Sequence, residues 1–269
     1  TIARMEREAL QMGLNFVRVE PRVIRNDRDL TLDVEFDLSR GPRVFVERIY
    51  IEGNNTTLDR VIRREFKIVE GDPFNPREIR QSAERIRALG YFGNAEVSAS
   101  EGSSADSVVV DVDVEEVPTG QLGFGISYSV NDGVGLGLNF SERNFLGRGQ
   151  EFAFTFNTAS ANRTYELSFY EPAFLGRDLR AGFDFGYRTT NNDFATFDSR
   201  KFTFAPSITF PVSENGRLSL SYTYRQEELL NVDDDTSLLI KNDADAGAQT
   251  TSSIGYLYSF DSRRTGLDP

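Results

Sequence analysis

Three consecutive carboxylates, Asp233, Asp234 and Asp235, form the densest run of hard oxygen ligands in the chain. Carboxylates of this kind hold a divalent cation when further oxygen ligands arrive at fixed spacing. No second ligand set stands at a suitable distance, so the run reads as a solvated loop tip. Gly133, Gly135 and Gly137 imitate a phosphate loop, but neither a helix nor a Lys-Ser/Thr pair follows them. Glu115 and Glu116 lie at a strand end with no partner for acid–base work. The sequence has no His and no Cys. That removes Ser-His-Asp and Cys-His nucleophiles, disulfides and most zinc sites. The expectation is a protein that is not an enzyme and uses no cofactor or metal. A formal net charge of −12 also argues against nucleic acid, because such binding neutralises phosphates with basic side chains.

The remaining charges point elsewhere. Glu151, Glu166, Arg180, Asp184 and Arg188 fall on one face of segments whose other face is oily. The simplest reading is a wet interior with paired charges; a conduit for a substrate carries the same signature. From Gln121 onward, large apolar residues alternate with small or polar ones. Leu122, Phe124, Ile126, Tyr128 and Val130 interleave with Gln121, Gly123, Gly125, Ser127 and Ser129. A period of two means a strand with two unlike faces. Lipid outside and water inside produce this pattern. Mean hydropathy is −0.41, but transmembrane strands spend only half their residues on lipid, so the average misses them. No apolar run is long enough for a transmembrane helix.

Roughly eight strands of transmembrane length are predicted, over 121–130, 134–144, 151–158, 164–171, 179–188, 201–212, 217–227 and 250–260. The two long connections, 189–200 and 228–249, belong to the same set of turns. Barrels of this type keep short turns in the periplasm and long loops outside. The opening residues read as the interior of a helix and the last ones as a turn, so both ends are expected to be trimmed.

The segment before the strands reads as α/β modules. Residues 1–41 show a helical stripe of Ile2, Met5, Ala9 and Met12, a stop at Gly13, and strands over 15–24 and 30–38 joined at Asn26-Asp27. Residues 42–117 read as a complete unit of order β-α-α-β-β. A strand over 44–52 leads to a helix near Thr57 carrying Leu58, Val61, Ile62 and Phe66. A second helix starts at Asn75-Pro76, with Glu78 placed to close a capping box, and shows Ile79, Ala83, Ile86 and Leu89 on one side. Strands over 93–100 and 107–116 follow. The earlier residues match the second half of this unit, which is an internal repeat. Residues 118–120 are a linker, and 121–269 are the strand domain.

One strand stands out. The segment 121–130 has a neighbour in sequence on one side only, so its other edge must pair with a distant strand. Gly123 and Gly125 supply no side chains to stiffen that seam. Two readings stay open: a seam that opens to template an incoming strand, or glycines that fit a curved wall.

These residues resemble a known family. Ile51-Glu52-Gly53-Asn54, Glu70-Gly71-Asp72 and Arg85-Ile86-Arg87-Ala88-Leu89-Gly90-Tyr91-Phe92 are similar to the membrane-proximal POTRA domain of the BamA family. Val117-Pro118-Thr119-Gly120 resembles that family's junction into the barrel, and Glu142-Arg143-Asn144-Phe145-Leu146-Gly147-Arg148-Gly149 its first periplasmic turn. The resemblance implies an α+β POTRA module followed by about the first half of an antiparallel barrel of about sixteen strands. It implies a place in the bacterial outer membrane with the POTRA part in the periplasm. Its function would be to assemble and insert β-barrel proteins. Client strands would pair with Gln121, Leu122, Gly123, Phe124, Gly125, Ile126, Ser127 and Tyr128. The implied partners are nascent outer-membrane proteins, Bam-complex lipoproteins, periplasmic chaperones and the lipid bilayer, with Arg64 and Glu65 as the lipoprotein contact. The strand over 93–100 is a second candidate edge for a client. The alternative is a two-partner secretion transporter, which passes an unfolded protein through its lumen.

Overall fold

The computed structural model describes residues 2–11, 17–26, 29, 31–40, 44–130, 133–159, 162–191, 196–213 and 215–262. Met12, Gly13 and Asp27, expected to end the first helix and the first turn, lie outside the described residues. The chain forms two compact units, Thr1–Asn54 with Ile62–Glu116, and Asn55–Val61 with Val117–Pro269.

In the first unit, α1 (Ile2–Gln11) precedes an antiparallel pair, β1 (Val17–Asn26) and β2 (Thr31–Arg40). Among the described residues of this part, Ala9 and Val19 are buried. The fuller module follows as β3 (Phe45–Glu52), α2 (Asp59–Arg63), α3 (Pro76–Ala88), β4 (Phe92–Glu101) and β5 (Ser107–Glu116). Its sheet order is β3-β5-β4, with β3 and β5 parallel and β4 antiparallel to β5. A parallel pair needs a long crossover, and the helical segment supplies it. β4 is therefore an edge strand, as expected of the segment 93–100.

The core of this sheet and α3 comprises Val46, Ile49, Ile79, Ala83, Ile86, Ala95, Val110, Val112 and Val114, all buried. Each fully buried aliphatic side chain contributes about 1.5–3 kcal/mol. α3 begins as its sequence requires. Asn75 Oδ1 accepts from Arg77 N at 2.9 Å, and Pro76 occupies the first turn, where its missing N–H costs nothing. The capping box differs from expectation, because Glu78 Oε2 lies 4.0 Å from Arg85 Nη2 and makes no hydrogen bond. A second correction concerns α2. It ends at Arg63, and Phe66 is buried from the turn beyond it. A helical stripe in sequence cannot separate a last helical turn from a tucked-in residue just past it.

The second unit is one antiparallel sheet of β6 (Gly120–Ser129), β7 (Gly133–Phe145), β8 (Gln150–Thr158), β9 (Asn162–Glu171), β10 (Arg180–Thr190), β11 (Asp198–Pro211), β12 (Gly216–Leu230) and β13 (Gln249–Phe260). Each strand pairs with its sequence neighbours, so β6 and β13 are the two edges. The strands run from 9 residues in β8 to 15 in β12, enough to cross a bilayer when tilted. Among the described residues, no helix is long and apolar enough to cross a membrane. The connection 228–249 is not wholly irregular: β12 continues to Leu230, and α4 (Leu238–Asp245) lies within it.

Register puts the apolar residues in rows on one face. Phe156, Tyr165 and Tyr187 touch in sequence, with ring centroids 5.2 and 6.0 Å apart. Phe169, Phe183 and Phe204 do the same at 6.2 and 5.7 Å. Phe185, Phe202 and Tyr224 form a third row at 5.5 and 6.0 Å. Cross-strand aromatic pairs of this kind add about 0.5–1.5 kcal/mol each beyond their buried area.

Candidate functional site

β6 carries all eight residues singled out in the sequence. Among the described residues it pairs with β7 alone, from Gly120 opposite Glu142 to Ser129 opposite Gly133. Alternate N–H and C=O groups of 120–129 therefore point away from β7, along an edge that carries no strand among the described residues. On the apolar face Leu122, Phe124, Ile126 and Tyr128 are exposed, Phe124 at 84%. Neither Phe124 nor Tyr128 makes a ring contact among the described residues, unlike the aromatic rows farther along. On the polar face Gly125 stands opposite Gly137, Gly123 opposite Asn139 and Ser127 opposite Gly135. A Cβ built at Gly125 meets nothing within 4 Å, and one at Gly123 only Asn139 at 4.0 Å. The inner side of β6 is thus open at Gly123 and Gly125, whereas on β7 Gly135 lies under Ser127 Oγ and Gly137 under Asn157 Oδ1.

Farther along, the same face is densely tied. Arg180 Nη2 donates to Glu151 Oε2 at 2.7 Å, and its guanidinium lies 4.0 Å from the centre of the Tyr170 ring. The Tyr170 hydroxyl donates to Asp184 Oδ2, and Ser168 Oγ donates to Asp184 Oδ1 at 2.7 Å. The ring of Tyr170 covers Gly182, its cross-strand partner, and a Cβ there would fall 2.4 Å from Tyr170 Cδ1. Arg188 pairs with Glu166 at 3.4 Å. All five charges expected on the inner face are therefore engaged. Tyr170 and Gly182 escaped sequence reading. A large aromatic among small inner-face residues was the available signal, but its glycine partner appears only once register is known.

A third cluster lies within the second unit, where Asn55–Val61 meets the β7–β8 turn. Leu58 N donates to Gly147 O at 2.8 Å, and Asn144 Nδ2 to Thr57 Oγ1 at 2.8 Å. Gly149 N donates to Asn144 Oδ1 at 2.7 Å, and Asn144 N to Glu142 Oε1 at 2.8 Å. The Thr119 hydroxyl donates to the same Glu142 oxygen. Asn144 is 7% exposed and Thr57 3%. Gly147 has φ +69°, and a Cβ there would lie 2.0 Å from Thr56 O, so glycine is required twice over.

In the first unit, Arg64 and Glu65 sit in the turn after α2, paired at 3.4 Å with side chains 24% and 18% exposed. Arg85 Nε donates to the Glu65 carbonyl at 2.7 Å, which fixes that turn. No group of carboxylates with metal-binding proximity occurs among the described residues, the run 233–235 included.

Residues 144–269 match the Omp85 superfamily domain, and residues 44–117 match POTRA, described as a surface antigen variable number repeat. Residues 144–269 form an Omp85 superfamily domain. The outer membrane protein assembly factor BamA of Nitratidesulfovibrio vulgaris is 29% identical over 85% of this chain. That alignment covers 29% of the relative, so the chain spans less than a third of its length. Among solved structures, BamA from Haemophilus ducreyi lacking POTRA domains 1-3 superposes with a TM-score of 0.64 at 21% identity, over 99% of this chain and 54% of that one. CdiB from Escherichia coli superposes with a TM-score of 0.54 at 15% identity, over 97% of this chain and 49% of that one. Both establish a shared fold. The Omp85 strands lie in the bacterial outer membrane and the POTRA part in the periplasm. The chain enters β6 from the POTRA side, so the Gly120 end of the sheet is periplasmic and the β6–β7 connection is external.

Proposed function

We propose that this chain belongs to a protein that assembles and inserts β-barrel proteins into the outer membrane, with β6 as the template for an incoming strand. The carrying observation is the open inner face of β6, where a Cβ at Gly125 meets nothing within 4 Å and one at Gly123 only Asn139 at 4.0 Å. Unpaired backbone costs several kcal/mol per group in hydrocarbon. An arriving client strand that pairs with β6 avoids that cost while it enters lipid, and no nucleotide is needed. Nascent outer-membrane proteins are the substrates in this reading, delivered by periplasmic chaperones. The edge of β4 gives them a second place to add a strand, and a lipoprotein partner docks at Arg64 and Glu65.

The domain assignment is proposed with it: the C-terminal part of one POTRA domain over 1–41, a complete one over 42–117, a linker over 118–120, and the first half of a barrel over 121–269. The fold shared with CdiB supports a second reading, passage of an unfolded protein through the lumen. One experiment separates the two. Single cysteines replace Gly123, Gly125 or Thr203 in the full-length protein, and a stalled client carries a cysteine in its terminal strand. Capture at Gly123→Cys and Gly125→Cys supports templating. Capture confined to Thr203→Cys, on the polar face, supports passage through the lumen and ends the templating reading.

A further inference from the structure

The outer end of the apolar face carries a feature that strand templating does not use. Register aligns Thr158, Arg163, Thr189 and Arg200 in one row across β8, β9, β10 and β11. These residues share the face of Phe156, Tyr165, Tyr187 and Phe202, the next row toward the periplasm. Two residues of strand separate the rows, about 7 Å. A cationic and hydroxyl row thus stands directly above an aromatic girdle, at the depth where lipid headgroups meet hydrocarbon.

A groove of about 570 Å³ opens below this row, lined by Phe154, Tyr165, Leu167, Phe185 and Tyr187, with Arg163 and Thr189 at its upper end. Glu166 also borders it, but its carboxylate is taken by Arg188 at 3.4 Å. Arg200 is held by Glu228 at 3.3 Å. Arg163 is exposed and, among the described residues, has no carboxylate at ion-pair distance. Among the described residues it is a cation without a carboxylate partner, flanked in register by two threonine hydroxyls, over an apolar trough.

We propose that this groove binds a phosphorylated amphiphile of the outer leaflet, with one acyl chain along the aromatic trough and its phosphate on Arg163. The guanidinium fork matches phosphate oxygens, and the threonines add hydroxyl donors. Position decides the rest. A ligand reaching this face must partition into lipid, so the anion arrives on an acyl chain and not as a free ion. A long Arg side chain at an interface extends its head toward that layer.

The test uses the full-length protein in nanodiscs of phosphatidylcholine with a minority of phosphatidylglycerol. Lipids retained after transfer to detergent are counted by mass spectrometry. The wild type is expected to enrich phosphatidylglycerol over its bulk share. Arg163→Gln is expected to lower that enrichment about fivefold, the effect of one basic residue at an anionic surface. Arg217→Gln, a periplasmic-end arginine paired with Asp178, is expected to leave it unchanged. Excess inorganic phosphate is expected not to displace the lipid, and displacement would assign the site to free phosphate. No enrichment in the wild type, or equal losses in Arg163→Gln and Arg217→Gln, overturns the proposal. The wild-type arm decides even if a variant fails to fold. The inference rests on the outer-membrane placement alone, so its failure leaves strand templating untouched.

Discussion

Gly182 and Gly186 offer a matched comparison, because they lie on the same face of the same strand and differ only in what covers them. A Cβ at Gly182 would lie 2.2 Å from Phe169 O and 2.4 Å from Tyr170 Cδ1. The first of these is backbone and cannot step aside, so β9 must shift away from β10. Overpacking of this kind costs about 1–3 kcal/mol. Displacing the Tyr170 ring also strains its bond to the Asp184 carboxylate, and hydrogen bonds to charged groups contribute about 1.5–3 kcal/mol. Gly182→Ala is therefore expected to lose about 2–5 kcal/mol. A Cβ at Gly186 meets only Thr203 Cβ at 4.0 Å, an ordinary contact. Gly186→Ala should fall within about 1 kcal/mol of wild type, on the stabilising side, because alanine narrows the unfolded ensemble. Urea unfolding of the full-length protein in detergent, followed by loss of the compact gel band, gives both midpoints. Adding Tyr170→Ala to Gly182→Ala should recover part of the loss but not all, since the Phe169 carbonyl stays in place. Equal midpoints for the two single variants would refute the claim that Tyr170 seated over Gly182 locks β9 to β10.

Three further outcomes follow from the geometry. Asn144→Ala removes a buried side chain that serves both Thr57 and Gly149 N, a loss of about 2–4 kcal/mol; amide exchange should accelerate at Leu58 and Gly149 while β9–β11 keep their protection. Gly125→Ala should leave the unfolding midpoint within about 0.5 kcal/mol of wild type, because a Cβ there touches nothing within 4 Å; a large loss would mean that the inner face of β6 is packed after all. The third concerns pH. The Ile49 N–H and then the Arg63 guanidinium hold the Glu70 carboxyl below its ordinary range. A depressed carboxyl contributes stability above its unfolded pKa of about 4.3, and that stability is lost as pH falls through the folded value. Protection of the Ile49 amide, corrected for intrinsic exchange, should drop as pH falls below about 5 in wild type and stay flat in Glu70→Gln. The half-exposed carboxylate limits the effect to at most about 1 kcal/mol.

The fold class was readable because both periods are strong. Alternation in 121–130 and its successors located all eight strands of the sheet, and the cap at Asn75-Pro76 located α3. The misses have physical causes. α4 hides in a polar loop, with only Leu238, Leu239 and Ile240 as its apolar content and no side-chain cap from Ser237. The Tyr170–Gly182 lock and the Thr158–Arg163–Thr189–Arg200 row join residues on different strands. Their partnership depends on register, which turn lengths set and composition does not reveal. Asn144 and Thr57 lie 87 positions apart, beyond any local pattern.

Strand exchange at low cost calls for a gradient of stiffness across the sheet, and the side chains grade it in that direction. Between β8 and β12 ring contacts join every pair of neighbouring strands, and the opposite face adds the Arg180–Glu151 and Arg188–Glu166 pairs. At the β6–β7 pair the inner face sets Gly125 against Gly137, with only the Asn157 amide oxygen reaching over Gly137. The difference amounts to about 0.5–1.5 kcal/mol for each aromatic pair that β6 lacks. Backbone ladders are similar everywhere, so side chains decide where a sheet parts first. By that reckoning β6 trades partners more cheaply than the strands from β8 to β12. Bulky inner-face residues at 125 and 137 that pack together should slow client insertion while leaving the fold intact.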